Sequence, residues 1–300
     1  MTRDALHDEV EAFLAQLRVQ RRVSPHTLAA YRRDLALLQS HALALGLGAW
    51  SALHSEALRG FIATQHRRGL APKSLQRLLS ACRSFFRFLL REGRLTQDPS
   101  TGLSAPKAGR KLPQVLDADE MAQLVQVEGD APLDKRDRAL LELFYSSGLR
   151  LSELCALRWR DLDRGEALVR VLGKGSKTRV VPVGRHALAA LDAWREARPA
   201  ALEAPIFPGR EGAPLSARAV QSRIKQVAQR QGIWKRVHPH LLRHSCASHV
   251  LESSGDLRGV QELLGHADIA TTQIYTHLDF GHLAKVYDAA HPRAKRRAPK

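Results

Sequence analysis

A stretch rich in proline and glycine at residues 96–114 most constrains how this 300-residue chain folds, because it separates two long helical patterns. The stretch contains Pro99, Gly102, Pro106, Gly109 and Pro113. Proline lacks the backbone N–H that regular structure needs, and glycine disfavours such structure. A chain of this length commonly forms about two domains. We therefore predict one domain at 1–95, a linker at 96–114 and a second domain at 115–300.

The first domain is predicted to contain four helices, because its apolar residues recur at helical spacing. Ser24 followed by Pro25 is typical of a helix start, with an N-cap and a proline in the first turn. The fourth helix begins at Pro72 and carries a wide apolar stripe. Its other side carries a cationic ridge, formed by Lys73, Arg77, Arg83, Arg87 and Arg91. The ridge suits a phosphate backbone, although a merely solvated helix face has the same composition.

The second domain is predicted to be mostly helical, with one β-hairpin. Strands at 167–171 and 178–183 flank the turn Gly173-Lys174-Gly175. Helices are predicted at 136–147, 185–197, 217–231, 239–253, 257–264, 270–277 and 279–288. The fold class is therefore mainly α with a small β-sheet in the second domain.

The charge of the chain favours a polyanionic partner. The net charge is +17, divided into +9 in residues 1–110 and +8 in the remainder. Because both parts are basic, we expect two domains that contact one polyanion. The linker is also basic, with Lys107, Arg110 and Lys111, and we expect it to join the two halves of a DNA clamp. Charge alone does not distinguish DNA from RNA or anionic lipid.

Other compositional features indicate a cytoplasmic protein. No apolar run reaches the roughly 18 residues that a membrane span requires, and the N-terminus lacks the apolar segment of a secretory signal. Cys82, Cys155 and Cys246 fit neither a disulfide framework nor a zinc motif. We expect a reducing compartment and no contact with a membrane.

Two arginines are candidates for binding a phosphate. Cleaving a phosphodiester requires a nucleophile, positive charge on the non-bridging oxygens and a proton for the leaving oxygen. Arg150 and Arg243 suit the charge role, because a guanidinium fork binds two oxygens and stays protonated. His240 shares a helix face with Arg243. Glu153, three residues after Arg150, is a candidate for orienting it.

Tyr275 is the best candidate for the nucleophile. A phenol needs nearby positive charge to attack as phenolate, because its ordinary pKa is about 10. Tyr275 follows the Gly265-His266 turn in a short polar segment. The other three tyrosines, Tyr31, Tyr145 and Tyr287, are interpreted as packing residues.

Two further side chains are candidates for proton transfer. Lys174, at the tip of the hairpin, suits protonation of the departing 5′ oxygen, and Lys177 and Arg179 compete for this role. His266 suits either accepting the tyrosine proton or binding a non-bridging oxygen. Histidines at 238, 240 and 244 raise the possibility of zinc, but there is no His-Glu-x-x-His motif and no cysteine pair. No metal or cofactor is expected.

In combination and order, these motifs resemble the tyrosine recombinase (phage integrase-like) family over essentially the whole chain. They are Gly148-Leu149-Arg150-Leu-Ser-Glu153, Gly173-Lys174-Gly175, His240-x-x-Arg243-His244, Leu264-Gly265-His266 and Tyr275. The resemblance implies that Tyr275 forms a 3′-phosphotyrosyl bond with DNA and that Lys174 is the general acid. It also implies that Arg150, His240, Arg243 and His266 bind and activate the phosphate, without metal or ATP.

Within the family, the segments 251–266, 276–280 and 286–296 are similar to Xer recombinases, which resolve bacterial chromosome dimers. This similarity implies a heterotetramer with a XerD-like recombinase on a dif-type site, regulated by an FtsK-type DNA translocase. The helix at 279–288 would then dock into a neighbouring subunit.

Three other functions remain open from the residues themselves. A non-catalytic DNA-binding protein would use 217–231 as its recognition helix. A type IB topoisomerase shares the chemistry but does not pair two specific sites. A phage or transposon integrase belongs to the same family as the Xer recombinases.

Overall fold

The computed structural model describes residues 2–20, 23–106, 114–173, 178–256 and 260. The chain divides into two units, Met1–Leu112 and Pro113–Lys300, and the division falls within the predicted linker. Several predictions lie outside the described residues: Lys174, His266, Tyr275, the helices at 270–277 and 279–288, and all of the helix at 257–264 except Val260.

The first unit contains four helices in its described part, as the sequence predicts: α1 (Thr2–Gln20), α2 (Pro25–Ala44), α3 (Ser55–Arg67) and α4 (Pro72–Arg91). The start of α2 is capped as expected, because the Ser24 hydroxyl accepts a hydrogen bond of 3.1 Å from the Thr27 N–H. The apolar stripe of α4 is buried at the centre of the unit. There the Phe85 ring meets the Trp50 ring edge-on, with centroids 5.1 Å apart.

Much of the cationic ridge of α4 is engaged within the first unit. Arg77 forms a two-pronged ion pair with the buried Asp34, with distances of 2.9 and 3.0 Å. Arg83 donates to the Leu103 carbonyl and Arg91 to the Gln16 side chain. The hydrogen bonds of Arg87, by contrast, stay within α4. The ridge therefore combines intramolecular contacts with cations that remain available to solvent.

The second unit is mainly α with a small sheet, which confirms the predicted fold class. Its described elements are α5 (Ala118–Val125), α6 (Pro132–Ser147), α7 (Leu151–Ala156), β1 (Leu162–Asp163), β2 (Leu168–Leu172), β3 (Thr178–Pro182), α8 (Arg185–Ala197), α9 (Ala217–Arg230) and α10 (Pro239–Ser254). The three strands are antiparallel in the order β1-β2-β3. None of the described helices has the length and apolar character needed to cross a membrane.

The elements α5 and β1 of the second unit were not predicted from the sequence. The helix α5 begins with a capping box, in which Asp117 accepts from the Glu120 N–H at 2.8 Å and Glu120 accepts from the Asp117 N–H at 2.9 Å. The pattern Asp-x-x-Glu before Met121 was visible in the sequence but was overlooked. The strand β1 has only two residues, too few to produce an alternating pattern.

The C-terminal end of α6 is fixed to the sheet by two buried serines. Ser147 donates to the Pro182 carbonyl at 2.8 Å, and Ser146 accepts from the Gly184 N–H at 2.6 Å. The helix α10 is anchored in a similar way, because the Leu116 N–H donates to the buried Ser245 at 2.9 Å. The first two contacts join the end of α6 to the end of β3 and to the start of α8, and the third joins α10 to the segment before α5.

Candidate active site

The candidate site is built around the turn Gly148-Leu149-Arg150 between α6 and α7. Gly148 ends α6 with φ of +52° and ψ of +35°, in the left-handed region that favours glycine. Leu149 is buried in the core and fixes the turn. Arg150 has extended backbone, and its N–H donates to Glu153 Oε2 at 2.7 Å. The backbone of Arg150 is therefore held from both sides.

Glu153 binds two arginines at once. Its Oε1 accepts from Arg150 Nη1 at 2.9 Å and from Arg179 Nη1 at 2.6 Å. Its Oε2 accepts from the Arg150 N–H and, at 2.9 Å, from Arg179 Nη2. Each carboxylate oxygen thus accepts one hydrogen bond from each arginine. The expectation that Glu153 orients Arg150 has a direct geometric basis here.

Glu153 is buried, with only 3% of the residue exposed, and it nevertheless remains ionised. Burial alone would raise the pKa of this carboxyl. The hydrogen bonds from Arg179 and Arg150, together with the positive charge of Arg179, outweigh that effect and lower the pKa of Glu153 to about 2. A permanently charged carboxylate is consequently available to hold both guanidinium groups.

Arg243 reaches the same turn from α10. Proline at the first position starts this helix, and His238 Nδ1 caps it by accepting from the Leu241 N–H at 3.0 Å. One turn later, the Arg243 guanidinium donates to the Gly148 carbonyl. Burial, and next the positive charge of Arg150, lower the pKa of Arg243 to about 10. The two arginines are therefore near enough to repel each other.

His240 lies on the same helix face as Arg243, three residues earlier, and is exposed. The structure thus brings Arg150 and Arg243 together at one turn, with His240 at the start of the helix that carries Arg243. It does not describe Lys174, His266 or Tyr275, whose assignments stay predictions.

The described tyrosines are packing residues, as interpreted from the sequence. Tyr31 is half-buried against the core of the first unit. Tyr145 is 1% exposed, its hydroxyl lies 2.8 Å from His249 Nδ1, and burial raises its pKa.

Arg179 does not compete with Lys174 for proton donation, contrary to the expectation from the sequence. The residue is only 9% exposed, and both of its terminal nitrogens bind Glu153. A signal was present in the strand pattern: Val181 faces the core, and alternation places Arg179 on the same face. An arginine at a core-facing position requires a buried acid.

The described part of the site can stabilise an anion. Two guanidinium groups from separate elements converge, and the surrounding protein fixes both of them before any ligand arrives. Such fixed positive charge suits the growing negative charge of a phosphoryl transfer. Among the described residues, no group of three His, Cys, Asp or Glu side chains is placed to hold a metal ion.

Comparison with known proteins gives matches over both units. Residues 114–282 match the phage integrase family, and residues 10–93 match the N-terminal SAM-like domain of phage integrases. A tyrosine recombinase XerC from Xanthomonas campestris pv. campestris (strain B100) is 67% identical, covering 98% of this chain and 91% of its own. The tyrosine recombinase XerC of Pseudomonas aeruginosa PAO1 is 57% identical over 96% of both chains.

Solved structures share the fold. A λ integrase(75-356) dimer bound to a COC′ core site superposes with a TM-score of 0.70 at 21% identity, covering 90% of this chain and 98% of that one. The XerH site-specific recombinase bound to a palindromic difH substrate, in a post-cleavage complex, gives a TM-score of 0.69 at 20% identity. That match covers 90% of this chain and 78% of the XerH chain.

Proposed function

We propose residue roles and partners for this chain from the premise that it belongs to the phage integrase family and is a site-specific tyrosine recombinase, which breaks and rejoins DNA. Tyr275 is the proposed nucleophile. Arg150, His240, Arg243 and His266 are proposed to bind and activate the scissile phosphate, and Lys174 to act as general acid. The reaction uses no metal and no ATP.

The proposed step conserves atoms and charge. The Tyr275 phenol oxygen attacks the phosphorus and forms a 3′-phosphotyrosyl bond, while the bond from phosphorus to the 5′ oxygen breaks. His266 accepts the phenol proton, and Lys174 gives a proton to the departing 5′ oxygen. Because one phosphodiester replaces another, attack by a 5′ hydroxyl from a second strand reverses the step and rejoins the DNA.

One observation carries this proposal: the convergence of Arg150 and Arg243 on the turn at Gly148. Burial and the charge of Arg150 disfavour the cationic form of Arg243, and the negative charge of a phosphate bound by the two arginines would offset this cost. Glu153 and the Gly148 carbonyl hold these side chains in place before DNA binds. Positive charge fixed in advance favours a transition state that gathers negative charge.

The partners are proposed from the relatives. The similar chains carry the name tyrosine recombinase XerC, and a structural neighbour, XerH, is bound to a difH substrate. We propose that this chain acts with a XerD-like recombinase in a heterotetramer on a dif-type site, under control of an FtsK-type translocase. Its biological role would be the conversion of chromosome dimers to monomers in the cytoplasm.

A suicide substrate tests the chemistry. A dif-type duplex nicked close to the cleavage position traps the covalent intermediate. Cleavage releases a short fragment that carries the free 5′ hydroxyl, and once this fragment diffuses away the reaction cannot reverse. We expect a covalent protein–DNA adduct with the parent chain and none with Tyr275→Phe, at similar DNA affinity. An adduct that persists in the variant would refute Tyr275 as the nucleophile.

A mixing experiment tests the partner. We expect Holliday junctions on a dif-type site only when this chain and a XerD-like recombinase are both present, and more product when an FtsK-type translocase is added. Full recombination by this chain alone at the same site would contradict the heterotetramer.

A further inference from the structure

Arg179 occupies a position where a strand normally presents an apolar side chain to the core. It pairs with Val171 on β2, and the alternation of β3 places it on the buried face with Val181. A buried guanidinium is unfavourable unless it is paired. Both of its terminal nitrogens are bound to Glu153. The identity of this residue is therefore not explained by packing.

We propose that Arg179 is a positioning residue for DNA cleavage: it holds Glu153, which in turn holds Arg150 against the scissile phosphate. The inference rests on the phosphate-binding role proposed for Arg150. Because each oxygen of Glu153 is shared by both arginines, losing Arg179 removes one of the two bonds at each oxygen. The carboxylate can then rotate, and Arg150 loses its fixed orientation.

The chain contains a matched control for this arrangement. Asp137, also buried, is bound by two arginines, Arg136 and Arg223. It lies ten residues before the end of α6, about 15 Å along the helix from the turn at Gly148. Removing Arg223 thus disturbs a similar buried ion cluster without touching the candidate site.

The test measures single-turnover adduct formation on the suicide substrate, together with DNA affinity and thermal unfolding. We expect Arg179→Met to slow cleavage about a hundredfold while DNA affinity changes less than about threefold, because misplacing a catalytic group has effects of this size. Arg223→Met should lower the unfolding temperature comparably but leave the cleavage rate within about threefold. Arg179→Lys, which keeps the charge but not the fork, should give an intermediate rate.

A double variant separates positioning from general destabilisation. If Arg179 acts through Glu153, Arg179→Met combined with Glu153→Gln cleaves no more slowly than the slower single variant. Independent, multiplicative losses would overturn the proposal, and so would equal cleavage rates for Arg179→Met and Arg223→Met. The Tyr275→Phe result tests the proposed function separately, since it does not depend on Arg179.

A second, independent observation concerns Trp234, which is 98% exposed just before α10. The surrounding segment, residues 230–240, contains three Lys or Arg residues and two histidines but no acidic residue. Lys235 pairs with Glu120 at 2.5 Å, so the cations of this described segment that form no ion pair are Arg230 and Arg236. Burial lowers the pKa of His238, and the positive charges of His240 and Arg236 lower it further, so these groups lie close together. A large apolar side chain in a cationic segment is suited to a polyanion that also presents flat apolar surfaces.

We infer that Trp234 contacts DNA beside the scissile phosphate, with its indole against a base or a deoxyribose. Trp234 precedes His240 by six residues in the chain, and the inference rests on the role proposed for His240, so it deepens the proposed function. Aromatic contacts with bases and cationic contacts with phosphates are the usual combination in nucleic-acid sites. The charge of the segment favours DNA over a protein partner.

Tryptophan fluorescence tests this contact directly. The other three tryptophans, Trp50, Trp159 and Trp194, are at most 4% exposed, so acrylamide quenching reports mainly Trp234. Using Tyr275→Phe as the background, which excludes cleavage, we expect dif-type DNA to protect the fluorescence from acrylamide. Trp234→Ala should weaken DNA binding about tenfold, whereas Leu133→Ala, at a 52% exposed residue, should leave it unchanged.

Two outcomes would overturn this second inference. One is parental DNA affinity of Trp234→Ala, combined with acrylamide quenching of Tyr275→Phe that does not change when DNA is added. The other is protection that arises only when a XerD-like recombinase is added, which would identify a protein contact. Failure of the proposed chemistry would be seen instead as an unchanged adduct in Tyr275→Phe.

Discussion

At the scale of single residues, Glu153 organises the cations of the site. A carboxylate at the third position of α7 satisfies the backbone N–H that begins the helix and two guanidinium groups. Arginine side chains are long, and fixing them normally costs conformational entropy. Here the entropy is lost on folding rather than on DNA binding, so the phosphate meets groups that are already oriented.

The ionised state of Glu153 makes its contribution to stability depend on pH. Its pKa is lowered to about 2 in the folded chain, so the stabilisation is complete above its ordinary pKa and is lost as the pH falls toward 2. Glu153→Gln lacks this dependence. We expect the difference in unfolding free energy between parent and variant to shrink by about 2 kcal/mol between pH 7 and pH 3.

Urea unfolding of both proteins at several pH values measures this difference. A difference that stays constant over that range would mean that Glu153 is not held ionised by the two arginines.

At the scale of elements, the turn between α6 and α7 determines where the arginines meet. Gly148 supplies the left-handed backbone, its carbonyl binds Arg243, and two residues later Arg150 begins α7. The serines at 146 and 147 fix the same turn to the end of β3. The positions of α6, α7 and α10 at this turn thus depend on one residue with positive φ.

Replacing Gly148 by alanine should therefore affect stability and cleavage together. A non-glycine residue in the left-handed region costs roughly 1 kcal/mol, and relaxation of the turn would displace both arginines. We expect Gly148→Ala to lower the unfolding free energy by about that amount and to slow adduct formation more than tenfold.

The control is Gly212→Ala, since Gly212 also has positive φ, +78°, and no atom within 4 Å of an added Cβ. It should lose similar stability but cleave normally. Normal cleavage by Gly148→Ala would contradict the proposed role of the turn.

The helix α4 separates structural cations from candidates for DNA contact. Arg77 pairs with the buried Asp34, while the hydrogen bonds of Arg87 stay within its own helix. We expect Arg87→Ala to lower the magnitude of the log–log salt slope of DNA binding by about one, with little change in stability. Arg77→Ala should instead lower the unfolding free energy by about 1–2 kcal/mol, because the buried carboxylate of Asp34 loses this partner. The loss is moderate because the Arg77 side chain is itself partly exposed to solvent.

Binding titrations at several salt concentrations and thermal unfolding of both variants distinguish the two roles. An unchanged salt slope for Arg87→Ala would remove this part of the ridge from the DNA interface.

At the scale of the whole molecule, helical periodicity made most of the described architecture predictable. The starts of α2 and α4 follow from Ser24-Pro25 and Pro72, and the hairpin follows from two β-branched runs around glycine. The helix α5 was overlooked although its capping box is local. The strand β1 is too short for any periodic signal.

The sequence supplied candidate residues for the site, whose catalytic roles stay predictions, but not the connections between them. Arg150, His240 and Arg243 were singled out from motifs, and the link from Glu153 to Arg150 from spacing. The contact of Arg243 with the Gly148 carbonyl joins residues far apart in the sequence and has no local signal. Arg179 was misjudged because its role depends on an acid in another element.

If the phenol oxygen of Tyr275 becomes bonded to the scissile phosphorus, peptide mapping of the trapped adduct will locate the bond most directly. Trypsin releases residues 259–285 as one peptide whose sole tyrosine is Tyr275, while Tyr287 falls in the next peptide, 286–293. After nuclease digestion, mass spectrometry should find the nucleotide remnant on 259–285. A remnant on the peptide that carries Tyr287, or on any peptide without Tyr275, would contradict the account.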